Sequence, residues 1–149
     1  MDLLFEEMEI YASPHCSEGF GLTIAEAMSR GKIVVATNYG GSKDFLDATC
    51  GFPVKAKIVS ILENFGPYQA GGQWAEIDED SLSIALQQAA DETNLVYASN
   101  ENTMASRAIA RVKESLSYSS VAEKLEYIVS KVHSDIQYSD RSRSIENGQ

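Results

Sequence analysis

The stretch Pro14-His-Cys-Ser-Glu18-Gly-Phe-Gly21-Leu-Thr-Ile-Ala-Glu26-Ala-Met-Ser-Arg-Gly31-Lys-Ile-Val-Val-Ala-Thr37 decides the fold. Its last six residues form a compact β-branched run, the pattern of a strand buried on both faces. Residues 22–30 carry Ile24, Ala25, Ala27 and Met28 at helical spacing, and Gly31 stands where a carboxyl-terminal cap belongs. Upstream, residues 9–13 read as another strand, stopped by Pro14. Strand, glycine-containing loop, helix and strand in this order make a parallel sheet flanked by helices, a Rossmann-like α/β fold.

Outward from this core, residues 2–10 suggest a short helix through Leu3, Leu4, Phe5 and Met8. Asn38-Tyr39-Gly40-Gly41 is a turn, with Ser42 as N-cap of a short helix reaching Leu46. Residues 51–54 and 57–61 are strand-like, the second suited to an edge. Residues 64–73, with three glycines and a proline, read as an irregular loop. Asp78 or Asp80 then caps a helix over 80–92 with Leu82, Ile84, Ala85, Leu86 and Ala89 inward. Helices follow over 102–116, burying Met104, Ala108, Ile109 and Val112, and over 120–134, burying Val121, Leu125, Ile128 and Val132. Ser119 and Ser120 are the cap candidates of the last. Residues 1–136 thus form one partial domain, and the polar, serine-rich residues 137–149 read as a loose tail. Only three or four strands are visible, where a stand-alone doubly wound domain has five or six, so the sheet reads as cut at its front.

The 149 residues fit one domain, and 44% hydrophobic with 23% charged residues is ordinary for a globular protein. A net charge of -10, from 12 basic against 22 acidic residues with no basic block, argues against nucleic acid or an anionic membrane as partner. Cys16 and Cys50 lack metal-ligand spacing and read as thiols in a reducing, cytoplasmic setting. No apolar run approaches the ~20 residues of a membrane span, and the first residues have no basic group of a leader.

The loop carries the chemistry. Gly19 and Gly21 let backbone approach a ligand closely, and the first N–H groups of the helix point out unpaired. A helix amino terminus carries about half a positive charge, so a diphosphate is held there without a local Lys or Arg. Glu18 lies just before the helix and Glu26 about one turn inside it, placing carboxylates on either side of the phosphate position. Taken as spacing alone, the pattern suits a phosphate-containing ligand and a purely structural turn equally.

The same residues resemble the E-x7-E region of family-4 retaining glycosyltransferases, which have the two-domain GT-B architecture. The resemblance rests on Glu18 and Glu26 with seven residues between, Glu-Gly-Phe-Gly-Leu at 18–22, Glu-Ala-Met at 26–28, Gly31, the Val-Val-Ala-Thr strand and Gly40-Gly41, with Gly51-Phe-Pro-Val54 in place for a further strand. It covers about 40 residues densely. It implies the rear part of a donor-binding domain: Glu18 on hydroxyls of the donor sugar beside the reacting carbon, Gly19, Phe20, Gly21 and Leu22 on sugar and diphosphate, and Glu26 on the ribose. The implied donor is a nucleoside diphosphate sugar carrying a hexose-type unit, with no cofactor, in a family that uses no Asp-x-Asp metal motif.

The family's diphosphate-binding Arg and Lys and its acceptor-binding domain have no counterpart in these residues. The expectation is therefore weak donor binding and no transfer by the chain alone, with the acceptor-binding domain as partner in cis or trans and self-association through an exposed sheet edge. His15 and Cys16 read as loop residues without catalytic role, Lys43 as a solvated helix-start lysine, and Trp74 as packing on the rear helices. A non-catalytic interaction module with the same fold is the alternative, and a glycogen-synthase-like or phosphorylase-like protein a third reading.

Overall fold

The computed structural model describes residues 2–98 and 103–146. The chain divides into two compact units, Met1–Lys113 and Glu114–Gln149.

In the first unit, helix α1 (Asp2–Glu7) precedes strand β1 (Ile10–Ser13), helix α2 (Leu22–Ser29) and strand β2 (Ile33–Thr37). A 3-10 turn at Gly41–Asp44 leads to strand β3 (Phe52–Val54). These strands form one parallel sheet in the order β1-β2-β3, with Ile10 opposite Ile33 and Val35 opposite Phe52. The parallel β1–α2–β2 unit expected from the sequence is therefore present. All five residues of β2 are buried, as its unbroken apolar run requires. Alternation sends Ile33 and Val35 to a core with Val54, Ala85, Ala89 and Met104. On the other face Tyr11 donates its hydroxyl to Thr23 Oγ1 of α2 at 2.8 Å. Each fully buried aliphatic side chain contributes roughly 1.5–3 kcal/mol. The Thr37 hydroxyl is buried with no hydrogen-bond partner among the described residues.

Helix α2 ends as its sequence dictates. Gly31 has φ +68, the Gly31 N–H donates to the Met28 carbonyl and the Lys32 N–H to that of Ala27, both at 3.0 Å. Those two bonds are a Schellman closure. The short helix expected from N-cap Ser42 to Leu46 is instead a 3-10 turn over Gly41–Asp44, with Gly40 at the cap position.

The strand count differs from expectation. Strands β4 (Ala56–Ser60) and β5 (Gln73–Ile77) pair antiparallel in a separate two-stranded sheet. β5 starts at the last residue of the stretch that read as an irregular loop, and no strand was expected there. Its partner lies across residues 61–72, so pairing rather than local pattern creates it. The hairpin is pinned at its base: the Lys55 N–H donates to Ser81 Oγ and the Asp78 N–H to the Lys55 carbonyl.

Helix α3 (Glu79–Ala98) is capped by Asp78, whose Oδ1 accepts the Ser81 N–H at 2.8 Å. It runs beyond residue 92, because nothing in 93–98 breaks a helix. Ala85 and Ala89 are buried and Leu82 packs beside them, but Ile84 and Leu86 are exposed. The small residues let the helix sit close to the sheet, and the expected apolar stripe is wider than the face in contact. Helix α4 (Met104–Leu116) buries Met104, Ala105 and Ala108, while Ile109 stays exposed.

Helix α5 (Tyr118–Glu146) belongs to the second unit. Its cap is Ser117, whose Oγ accepts the Ser120 N–H at 3.2 Å, rather than Ser119 or Ser120. Val121, Leu125, Ile128 and Val132, expected to be buried, are exposed. The helix continues through residues 137–146, which read as a loose tail. Polar composition suggested a coil there, but no Gly or Pro stops propagation between 118 and 146. Residues 147–149 lie outside the described residues.

Candidate functional site

Parallel strands put their carboxyl ends on one side, and ligands of such sheets bind beyond those ends. β1 and β2 leave the sheet there in the same manner. The His15 N–H returns to the Ser13 carbonyl at 2.9 Å around Pro14, and the Tyr39 N–H to the Thr37 carbonyl at 2.8 Å around Asn38. Each is a three-residue turn, for which the fixed φ of Pro14 is well suited.

The Glu18 loop then enters α2. Gly21 is the residue before the helix, at φ +88 and ψ +44, a left-handed conformation that glycine takes without strain. No side chain makes the usual cap bond on this helix. Instead Glu18 Oε1 accepts the Gly21 N–H at 3.1 Å, so an anionic oxygen already stands at the α2 entrance. Gly19 has open space where a Cβ would lie. The Phe20 ring is partly exposed and rests 5.4 Å from the Phe45 ring, and Leu22 is 73% exposed. Glu26 pairs with Arg30 one turn on, at 3.1 Å, and the Arg30 guanidinium lies 5.2 Å over the Phe5 ring. Each carboxylate thus already has a protein partner, Glu18 at the helix start and Glu26 toward its end.

His15 is half-buried and bridges the two strand exits, with Nε2 3.0 Å from the Tyr39 carbonyl and Nδ1 3.1 Å from that of Ser13. Cys16 is an exposed free thiol whose carbonyl accepts the Ala75 N–H of β5 at 2.7 Å. Lys43 is exposed on the 3-10 turn. Cys50 is buried, and burial pushes its thiol up. Trp74, expected on the rear helices, packs its ring within the hairpin. Its ring takes Phe65 at 6.0 Å and Tyr68 at 5.8 Å, both edge-on, because β5 places it on the hairpin.

The sequence reading did not assign a role to Gly40 and Gly41, whose turn lies against the Glu18 loop. The Gly41 N–H donates to the Gly19 carbonyl at 2.8 Å. A crevice of about 480 Å³ along β3 and α3, lined by Phe52, Pro53, Ala85, Gln88 and Glu92 among others, shares no residue with this loop. Among the described residues no three His, Cys, Asp or Glu side chains are grouped to hold a metal ion. No described helix is long and apolar enough to cross a membrane.

The sheet end, the glycine loop and the helix entrance belong to a partial parallel α/β domain of Rossmann-like type. Comparison with known proteins makes the class specific: residues 1–63 match the family model of glycosyl transferases group 1. Over 80 residues, 49% of this chain, the protein is 35% identical to a sucrose synthase of Denitrovibrio acetiphilus, of which the match spans 10%. The chain is thus similar to group 1 glycosyltransferases over the residues that build the strand, glycine loop and helix of this site.

Proposed function

We propose that the chain provides donor-binding surface for a retaining, metal-independent glycosyl transfer, taking a nucleoside diphosphate sugar with a hexose-type unit. The supporting observation is the anionic Glu18 oxygen on the Gly21 N–H at the start of α2, beside the open face of Gly19. That place accepts negative charge, and a diphosphate there receives the same N–H groups and the helix dipole. Glu18, released toward the sugar hydroxyls, and Glu26, exchanging Arg30 for the ribose, are the acceptors on either side. Gly19, Phe20, Gly21 and Leu22 supply the surface between them.

Transfer further requires an acceptor hydroxyl held in line and water kept out. The proposed partner for that step is an acceptor-binding domain, in cis or in trans, in a reducing cytoplasmic setting where Cys16 and Cys50 remain thiols. Among the described residues β1 pairs with β2 alone, and its other edge offers a second contact, to another strand or another copy.

Calorimetric titration with uridine, adenosine and guanosine diphosphates and their glucose conjugates tests this reading. Binding of at least one conjugate is expected in the micromolar range or weaker. Glu18→Ala should reduce affinity for the conjugate about tenfold, the worth of a lost charged hydrogen bond, and affinity for the bare diphosphate much less. Equal affinity of Glu18→Ala and the parent chain for the conjugate sinks the proposal.

A further inference from the structure

The Glu18 loop is held in place by other segments. His15 is tied to the Tyr39 carbonyl, Cys16 to Ala75 of β5, Gly19 to the Gly41 N–H and the Phe20 ring to Phe45. The closest of these approaches is at the glycine turn. A Cβ on Gly41 would stand 2.3 Å from the Gly19 carbonyl oxygen and 2.9 Å from Phe20 Cα, and one on Gly40 2.4 Å from the Glu18 carbonyl oxygen. Those obstacles are backbone atoms, which cannot swing aside as a side chain does. Gly40 also has φ +81 and ψ -163, a region open in practice to glycine alone. Gly19 is the contrast, with nothing within 4 Å of an added Cβ. Glycine at 40 and 41 is therefore demanded by the loop opposite.

We infer that Gly40 and Gly41, with His15 as a second tie, are positioning residues that fix the backbone 18–21 so that Glu18 and the Gly21 N–H meet the donor in one arrangement. This inference rests on the donor-binding reading above. A methyl group on Gly41 forces the loop away by on the order of 1 Å, a displacement that a positioned site feels strongly. It would separate Glu18 from its place without touching either carboxylate.

The test uses the 149-residue chain labelled with 15N. Amide shifts and exchange rates of residues 19–23 are followed in the parent chain, Gly41→Ala, His15→Ala and Trp74→Ala, and each protein is titrated with the three nucleoside diphosphates well below its Tm. Gly41→Ala is expected to move the amides of 19–23, to speed exchange at Gly21, and to weaken the diphosphate that the parent binds about tenfold. Trp74→Ala, destabilised elsewhere, should keep parental affinity, which separates positioning from mere loss of stability. His15→Ala should reproduce the Gly41→Ala changes at smaller size and decides the matter if Gly41→Ala does not fold. Unmoved amides, or parental affinity with moved amides, overturn the inference. If the parent chain binds none of the three diphosphates, the donor reading fails instead, and the amides alone judge whether the turn holds the loop.

Discussion

Residues 14–21 and 61–72 are both glycine-bearing loops of the first unit, and they are built in opposite ways. The first is closed by other segments: Tyr39, Gly41, Phe45 and Ala75 each hold one of its residues. The second closes on itself. Its Ile61 N–H donates to the Gly72 carbonyl, the Gly71 N–H to that of Ile61, and Phe65 and Tyr68 set their rings against Trp74. Their glycines differ accordingly. Gly66 and Gly71 have φ +54 and +87 with nothing near, so the chain needs them only to turn. Gly40 and Gly41, which hold the first loop, are needed because another backbone is too close for any side chain. A loop fixed from outside can keep polar groups aimed at a ligand, whereas one fixed from within can change without disturbing its neighbours.

Trp74→Ala should have the largest effect on stability in the self-closed loop. Removing a half-buried ring with two aromatic neighbours should cost about 1–3 kcal/mol, read as a lower urea midpoint. Amide shifts of residues 61–77 should move while those of 18–23 stay. Movement in both sets would break the distinction between the two loops.

Asp47 tests the segment that follows the glycine turn. Hydrogen bonds from Thr49, and then from Arg111 of α4, hold its carboxyl well below the usual carboxylate range. A depressed folded pKa stabilises the protein above the unfolded value near 4, and the gain disappears as pH falls through the folded value. Asp47→Asn should therefore lower Tm at pH 7, by an amount worth about 1 kcal/mol or less because the pair is partly exposed. The difference from the parent chain should shrink below about pH 4. A difference constant from pH 7 to pH 2.5 would assign the effect to packing rather than charge.

Gly19→Ala should have the smallest effect. With open space at the Cβ position, stability should stay within about 0.5 kcal/mol of the parent. Affinity for nucleoside diphosphates should nonetheless fall, since the methyl group occupies the space facing the ligand. Unchanged affinity would move the ligand away from Gly19.

The readable parts of this molecule were those whose signals are local. Val34 and Val35 lie in an unbroken β-branched run, and Gly31 terminates a short amphipathic helix, so β2 and the Schellman closure follow from residues adjacent in sequence. Glu18, Gly21 and Glu26 were legible as a loop entering a helix for the same reason. β5 was not legible, because Gln73 and Trp74 become strand only by pairing with Val59 and Ser60 across residues 61–72. The wide stripe of α3 was misread because Ala85 and Ala89, not Ile84 and Leu86, face the sheet.

The sequence by itself determined a parallel β1–α2–β2 unit with a glycine loop at the carboxyl end of β1, since helix and strand periods, Pro14 and Gly31 leave little other choice. Only the tertiary structure decided what holds that loop. The strand exits lie side by side because β1 and β2 are paired, and that adjacency brings the Gly41 N–H to the Gly19 carbonyl and His15 to the Tyr39 carbonyl. Contacts between segments more than twenty residues apart carry no local signal. Gly40 and Gly41 therefore read in the sequence as a turn, and in the fold as the surface on which Glu18 is set.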